Sequence, residues 1–470
     1  MNENVAALLP ETALVAAAVC GLLAGSWLPR RRQWAVAVLA AAACVTGLIA
    51  TSVTMATGSQ QLVFSRTFAV DTVTDAGRLT VLAALLLIVA LSAESVRGHK
   101  RETEFYVLLL LTSAGTLVLA GANDLLTLFA GYLLASLPGY VLAAFAKDAP
   151  GTEAALKYYL FGALLGTTML AGVALLYGAG GATLYRHLRI GLPTAGYGLV
   201  AVGLVAVLAG LLFKAGAVPA HFWVPDVTEG ATAPVAAYVT TLPKIGGLIA
   251  GYRLLHQALP LSDVNWPLLL AVLAAVSMTW GNLAAFFQTS VKRLLAYSTI
   301  SQVGYLLMAL AVATRSDLAQ RGLLFYLAAY ALTNIGAFAV VTALPAARTL
   351  ADYRGLARHR PGLAAVLLVC LLGLVGTPPT GVFLGKLEVF TAAVDGGYTW
   401  LAAVAVANTV ASLFYYLRWL APVVRPGEAH HPAATGRLTT GTAYTAGAAS
   451  LALGLAGGAV LPLAEGPLLL

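Results

Sequence analysis

Three lysines in this chain stand in apolar stretches that offer them no water. Lys214 lies in Leu208-Ala-Gly-Leu-Leu-Phe-Lys-Ala-Gly-Ala-Val-Pro219, Lys244 in Thr241-Leu-Pro-Lys-Ile-Gly-Gly247 and Lys386 in Gly381-Val-Phe-Leu-Gly-Lys-Leu-Glu388. At the centre of a bilayer a lysine costs roughly 2.5–3.5 kcal/mol on insertion scales. Burial disfavours the charged form, so such an amine is suited to give up a proton and take it back. Glu388 does not pair directly with Lys386, because residues two apart point to different faces of a helix. His221 follows Lys214 by seven residues. It reads either as a proton relay or as interfacial packing beside Phe222 and Trp223. Lys292 begins an apolar run, where it either snorkels to the interface or takes part in proton entry. Glu153 precedes Lys157 by four residues; it either opens a helix with a compensated dipole or serves as an acid of the proton path.

These residues need helices to hold them. Of 470 residues, 60% are hydrophobic and only 10% charged, far from the quarter or so that is usual in soluble chains. The expectation is an all-α polytopic membrane protein. About fourteen apolar runs are long enough to cross a bilayer, given about 20 residues per crossing. The seventh covers 196–222, the eighth 232–258, the twelfth 361–393 and the fourteenth 440–463. The net charge of +8 is not a nucleic-acid signal, because the basic residues sit in short loops between spans. Seventeen of the 27 Lys and Arg fall on one side, seven on the other (Arg78 and Arg253 among them), and three inside spans. The positive-inside rule then puts the richer side in the cytoplasm and both termini outside a cell membrane. Met1-Asn-Glu-Asn4 lacks the basic start of a cleavable signal. Cys20, Cys44 and Cys370 have no metal or redox spacing and read as small buried hydrophobes.

Spans seven and twelve are the interrupted ones, by Gly216 with Pro219 and by Gly376-Thr-Pro-Pro-Thr-Gly381. Being five spans apart, they enter the membrane from opposite sides. That is the pattern of inverted repeats whose broken helices hold a transport site. The division expected is 1–100 as an N-terminal three-helix segment and 101–260 as a first unit of spans four to eight. A second unit of spans nine to thirteen follows at 261–425, then a C-terminal helix at 426–470. Ser298, Thr299, Ser301 and Gln302 add groups able to hold water inside span ten, although interhelical hydrogen bonding explains them equally.

Phe213-Lys-Ala-Gly-Ala-Val-Pro-Ala-His-Phe-Trp-Val-Pro-Asp226, Gln288-Thr-Ser-Val-Lys-Arg-Leu-Leu-Ala-Tyr-Ser298, Gly376-Thr-Pro-Pro379 and Phe383-Leu-Gly-Lys386 resemble the signatures of the antiporter-like membrane subunits of respiratory complex I. The likeness runs from about residue 100 to 420 and is nearest to the subunit N type, through Glu153-Ala-Ala-Leu-Lys-Tyr158 and His221-Phe-Trp-Val-Pro-Asp226. The resemblance implies two inverted five-helix units, with Lys214 the central lysine of the first, Lys244 the linking lysine and Lys386 the terminal lysine of the second. It implies proton translocation alongside other membrane-arm subunits of the complex, driven by electron transfer in redox-active partner subunits. NADH, FMN, iron–sulfur clusters and quinone would be bound in those partners, with no cofactor in this chain. In keeping with that, Gly178–Gly181 has no strand–turn–helix context for a nucleotide. One departure stands out: the position at which the family carries a glutamate to pair with the central lysine is Leu133 here, and span five has no acid. Lys214 thereby lacks a charge that would stabilise its ammonium. Two other readings stay open: a subunit of a multisubunit cation/proton antiporter, or a structural membrane-arm subunit with an impaired first half-channel.

Overall fold

In a medium without water the backbone must satisfy its own hydrogen bonds, so long apolar runs become helices. The computed structural model describes residues 4–427 and 436–470. Met1–Glu3, part of the stretch read above for a leader signal, and 428–435, within the 426–470 segment, lie outside the described residues. The first six helices are α1 Leu9–Trp27, α2 Trp34–Thr57, α3 Thr72–Val96, α4 Glu102–Gly121, α5 Leu125–Ala143 and α6 Ala149–Gly180. Next come α7 Tyr185–Gly191, α8 Tyr197–Ala215, α9 Trp223–Gly230, α10 Ala233–Val239, α11 Leu242–Ala258 and α12 Trp266–Ala285. The remainder are α13 Val291–Ala311, α14 Leu318–Ala343, α15 Leu356–His359, α16 Pro361–Val375, α17 Gly381–Asp395, α18 Thr399–Val424, α19 Arg437–Leu455 and α20 Gly457–Val460. Gln61–Val63 and Phe68–Val70 pair as a small antiparallel hairpin, Leu62 opposite Ala69.

The turns between apolar runs supply the caps. Asp71, Asp124, Asp148, Asn265 and Ser290 each accept a backbone N–H from the first turn of α3, α5, α6, α12 and α13. Each thereby satisfies a donor that would otherwise be orphaned. Asp124 is the residue that separates α4 from α5 within the polar turn 121–124. α10–α11, α13 and α14 are almost entirely buried and form the centre, while α2 and α6 show most of their surface outward. α12 and α13 touch backbone to backbone: a Cβ on Gly304 would come within 2.5 Å of the Met278 nitrogen, and one on Gly281 within 2.5 Å of the Ser301 nitrogen. Without a hydrophobic drive between helices in lipid, such small-residue contacts are what hold them together.

Among the described residues twelve helices are long and apolar enough to cross a membrane, and the bent pair 437–455 and 457–464, turning by 76°, makes a thirteenth. The twelfth run, 361–393, which would bring the count to fourteen, is broken where expected, into two helices of 15 residues each, α16 and α17, with Gly376–Thr380 between them. The seventh run, 196–222, is interrupted as expected: the helix stops at Ala215 and resumes at Trp223. The eighth, expected as one helix, divides at Thr240–Thr241. Pro243 has no N–H to give the carbonyl four residues back, so the helix cannot continue through it. Arg78 and Arg253, counted above with outer loops, are fully buried within helices. Cys44 and Cys370 are buried as expected, whereas Cys20 is exposed on α1.

Candidate functional site: lysines at two helix breaks

α8 and α16 end alike. Gly216 at φ 78° and Gly376 at φ 91° adopt the left-handed conformation that glycine reaches without steric cost. Gly216 N–H donates to Leu212 O and Phe213 O, and Ala217 N–H to Leu212 O. Gly376 N–H donates to Leu372 O and Gly373 O, and Thr377 N–H to Leu372 O. Both are the Schellman type of helix ending, which satisfies the third- and fourth-last carbonyls and leaves the last two exposed. The Val218–Pro219 and Pro378–Pro379 peptide bonds that follow are both cis.

The buried amines meet these endings. Lys244 Nζ donates to Ala215 O at 2.9 Å, and Lys386 Nζ to Val375 O at 2.8 Å, each oxygen being the last carbonyl of its helix. Lys386 also reaches Thr409 Oγ1 at 3.4 Å and lies 4.1 Å above the centre of the Tyr305 ring. Lys214 is fully buried and turns the other way, donating to Ala135 O of α5 at 2.9 Å, with its Nζ 5.4 Å from the Tyr132 ring centre. Pro138 inside α5 has no N–H to give Leu134 O, the carbonyl next to the accepting one. No carboxylate pairs with Lys214 among the described residues. Leu133 is 37% exposed on the outer face of α5 and forms no part of the Lys214 contact.

Between the two breaks runs a line of polar groups. Tyr330 Oη donates to Thr240 O at 2.8 Å and lies 2.9 Å from Thr299 Oγ1. Asn334 Nδ2 donates to Thr240 Oγ1 at 3.0 Å and Thr241 Oγ1 at 2.8 Å. Gln302, one turn beyond Thr299, donates from Nε2 to Leu374 O at 2.7 Å and accepts from Tyr326 Oη. Each step from Lys244 to Lys386 is thus one hydrogen bond, one helical turn or one residue. Gln302 and Thr299 had been singled out in the sequence; Tyr326, Tyr330 and Asn334 had not. Their i, i+4, i+8 spacing in α14 puts all three on one helix face, a signal that was there to be read.

The remaining candidates lie at one end of the bundle. Lys292 donates to Glu229 O and Ala231 O, at the end of α9. It borders a cavity of about 750 Å³ lined also by Glu94, Asp148, Glu229 and Arg348. Glu153 pairs with Lys157 at 2.8 Å, and Lys157 with Asp226 at 2.9 Å. Glu153 is 67% exposed there, so it is a surface residue and not a partner of Lys214. His221 is buried against Phe222 and Trp280 beside a second cavity of about 730 Å³, which Lys157, Asp226 and Arg293 also line. Glu388 pairs with Arg321 at 2.8 Å, not with Lys386. Two buried ion clusters went unnoticed in the sequence: Asp71 with Arg253, and Arg78 with Glu11 and Asp75.

Ionisable side chains buried at paired helix breaks define an ion-translocating class of membrane protein. The chain belongs to the NADH:quinone oxidoreductase/Mrp antiporter transmembrane family, whose pattern matches residues 122–412. It is 57% identical to NADH-quinone oxidoreductase subunit N 1 of Streptomyces griseus over 98% of both chains. It is 52% identical to NADH-quinone oxidoreductase subunit N of Mycobacterium sp. (strain JLS) over 96% of both. Among solved structures it resembles a chain of respiratory complex I from Thermus thermophilus with bound aureothin, at a TM-score of 0.82 and 33% identity over 97% of this chain and all of that one. The Mrp complex from Dietzia sp. DQ12-45-1b contains a chain of the same fold, at a TM-score of 0.85 and 23% identity over 98% of this chain and 96% of that one.

Proposed function

We propose that this chain is a proton-translocating membrane-arm subunit of an NADH:quinone oxidoreductase of the complex I type. Protons move along the buried lysines while partner subunits, which would hold NADH, FMN, iron–sulfur clusters and quinone, transfer electrons. The observation that carries this is the polar line joining Lys244 to Lys386 between two broken helices. Its place is the plasma membrane, crossed many times, with both termini outside. The units 101–260 and 261–425 form an inverted repeat, between the segments 1–100 and 426–470; the matching glycine endings of α8 and α16 support that division.

Lys214, Lys244 and Lys386 carry the protons, and the cavity beside Lys292 provides entry from the cytoplasm. His221, facing the second cavity, relays; Glu153 contributes at the surface through Lys157. That Lys214 has no carboxylate partner among the described residues, its one hydrogen bond going to Ala135 O, favours a second reading, a membrane-arm subunit whose first half-channel conducts poorly. Reconstitution of the whole complex in liposomes, counting protons moved per NADH oxidised, tests both. Lys214→Ala should lower that ratio, and an unchanged ratio with unchanged turnover would sink the role of Lys214. A higher ratio for Leu133→Glu than for the parent supports the impaired half-channel.

A further inference from the structure

The last four carbonyls of a helix have no partner within it, and inside hydrocarbon each one left bare is costly. At α16 all four are accounted for: Leu372 O by Thr377 N–H, Gly373 O by Gly376 N–H, Leu374 O by Gln302 Nε2 and Val375 O by Lys386 Nζ. At α8, Leu212 O and Phe213 O take the turn amides, Phe213 O takes the Trp223 indole N–H as well, and Ala215 O takes Lys244 Nζ. At each break, then, the final carbonyl is held by a lysine amine. The lysines also run directly over the left-handed glycines: a Cβ on Gly376 would sit 2.8 Å from Lys386 Cδ, and one on Gly216 would sit 3.3 Å from Lys244 Nζ.

The correspondence differs from the one that sequence order suggests. Lys214 stands two residues before Gly216, and Leu374 stands two residues before Gly376. By position, then, Lys214 is matched in the second unit by an apolar residue, and by contact Lys386 is matched in the first unit by Lys244. Lys214, the residue nearest the first break in sequence, leaves the break carbonyl alone and binds α5.

We propose that Lys244 and Lys386 are equivalent latches, each closing one helix break by donating to its last carbonyl. Lys386 joins α16 to α17 across Gly376–Thr380, and Lys244 joins α8 to α11. The same nitrogen holds the carbonyl and exchanges the proton. When it turns toward another partner, Ala215 O or Val375 O loses its donor, and water entering the break is what can replace it. Movement of the amine therefore wets the helix ending that it leaves. This rests on the proton-carrying role proposed above for the lysines, and the test separates the two.

The test is hydrogen exchange by mass spectrometry on the assembled complex in nanodiscs, reading peptides that cover 212–220 and 372–380, alongside proton counting in liposomes. Loss of a hydrogen bond from a charged donor should speed exchange at the break by on the order of tenfold or more. Lys386→Met should do this at Gly376 and Thr377, and Lys244→Met at Gly216 and Ala217, while Lys214→Met leaves both peptides within about twofold of the parent. Lys386→Gln, which donates an N–H but carries no proton, should restore protection without restoring proton movement. Parent-like exchange in both Lys244→Met and Lys386→Met overturns the latch, as does equal loosening by Lys214→Met or no rescue by Lys386→Gln. If Lys386→Gln moves protons like the parent, the proton-carrying role fails and the latch stands.

Discussion

Arg253→Met probes the most thoroughly buried charge pair in the bundle. Arg253 Nη1 and Nη2 donate to the two Asp71 oxygens at 2.8 and 2.7 Å, and Nη2 also reaches Thr74 Oγ1 at 2.9 Å. Both side chains of the pair are 0% exposed. Asp71 takes further donors from Thr74 N at 3.0 Å and Leu469 N at 3.1 Å, so it ties the start of α3 to α11 and to the segment beyond α20. Removing the guanidinium leaves a buried carboxylate with backbone donors and no cation, a loss of about 3–5 kcal/mol. At about 1.4 kcal/mol per tenfold, that exceeds a hundredfold in the unfolding equilibrium. Replacing both residues with apolar side chains, Asp71→Leu with Arg253→Met, should recover most of the loss, since an ion pair gains little over a packed apolar pair. The assay is denaturant unfolding of the purified subunit in detergent, with the two single variants and the double variant completing a cycle. A loss under about 1 kcal/mol for Arg253→Met, the scale of an exposed pair, would refute the reasoning.

Three further outcomes can be measured. Burial alone would raise the Asp71 carboxyl, but the Arg253 guanidinium and the hydrogen bonds to Asp71 outweigh it and hold it below the usual carboxylate range. A depressed carboxyl contributes stability above the ordinary value of about 3.9 and loses it as pH falls below that. Acid unfolding of the parent should therefore steepen below about pH 4, and Asp71→Asn should flatten that limb. Gly216→Ala and Gly376→Ala place a Cβ at φ 78° and 91°, 2.7 Å from Val224 Cγ2 and 2.8 Å from Lys386 Cδ respectively. Each should cost at least about 1–2 kcal/mol and lower proton translocation, as read by thermal unfolding and liposome acidification. Arg358→Cys and Leu261→Cys sit on exposed positions; an impermeant maleimide should label the first from the cytoplasmic side and the second from outside, and the reverse would invert the topology.

The chemistry was more legible in the sequence than its partners were. A lysine in an apolar run, followed by glycine and proline, announces a buried amine at a break, because hydrocarbon tolerates neither feature without a reason. Lys214, Lys244 and Lys386, and the interruptions at Gly216 and Gly376, could be read this way. What each amine would touch could not, since Lys244 finds its carbonyl 29 residues away and Asp71 finds Arg253 across 182 residues. Such contacts follow from how helices pack, which a local pattern does not encode. The split of the eighth run was within reach, because Pro243 denies α11 an N–H inside an otherwise continuous apolar stretch. Glu153, by contrast, had to be seen paired with Lys157 at the surface before it could be separated from Lys214.

Protons are proposed to pass between residues 101–260 and 261–425 through Lys244. The direct test is Lys244→Met in the whole complex, reconstituted in liposomes, with proton uptake and NADH oxidation recorded on the same sample. Fewer protons should move per NADH, with NADH oxidation persisting when the membrane is made leaky. A ratio equal to that of the parent would contradict passage through Lys244.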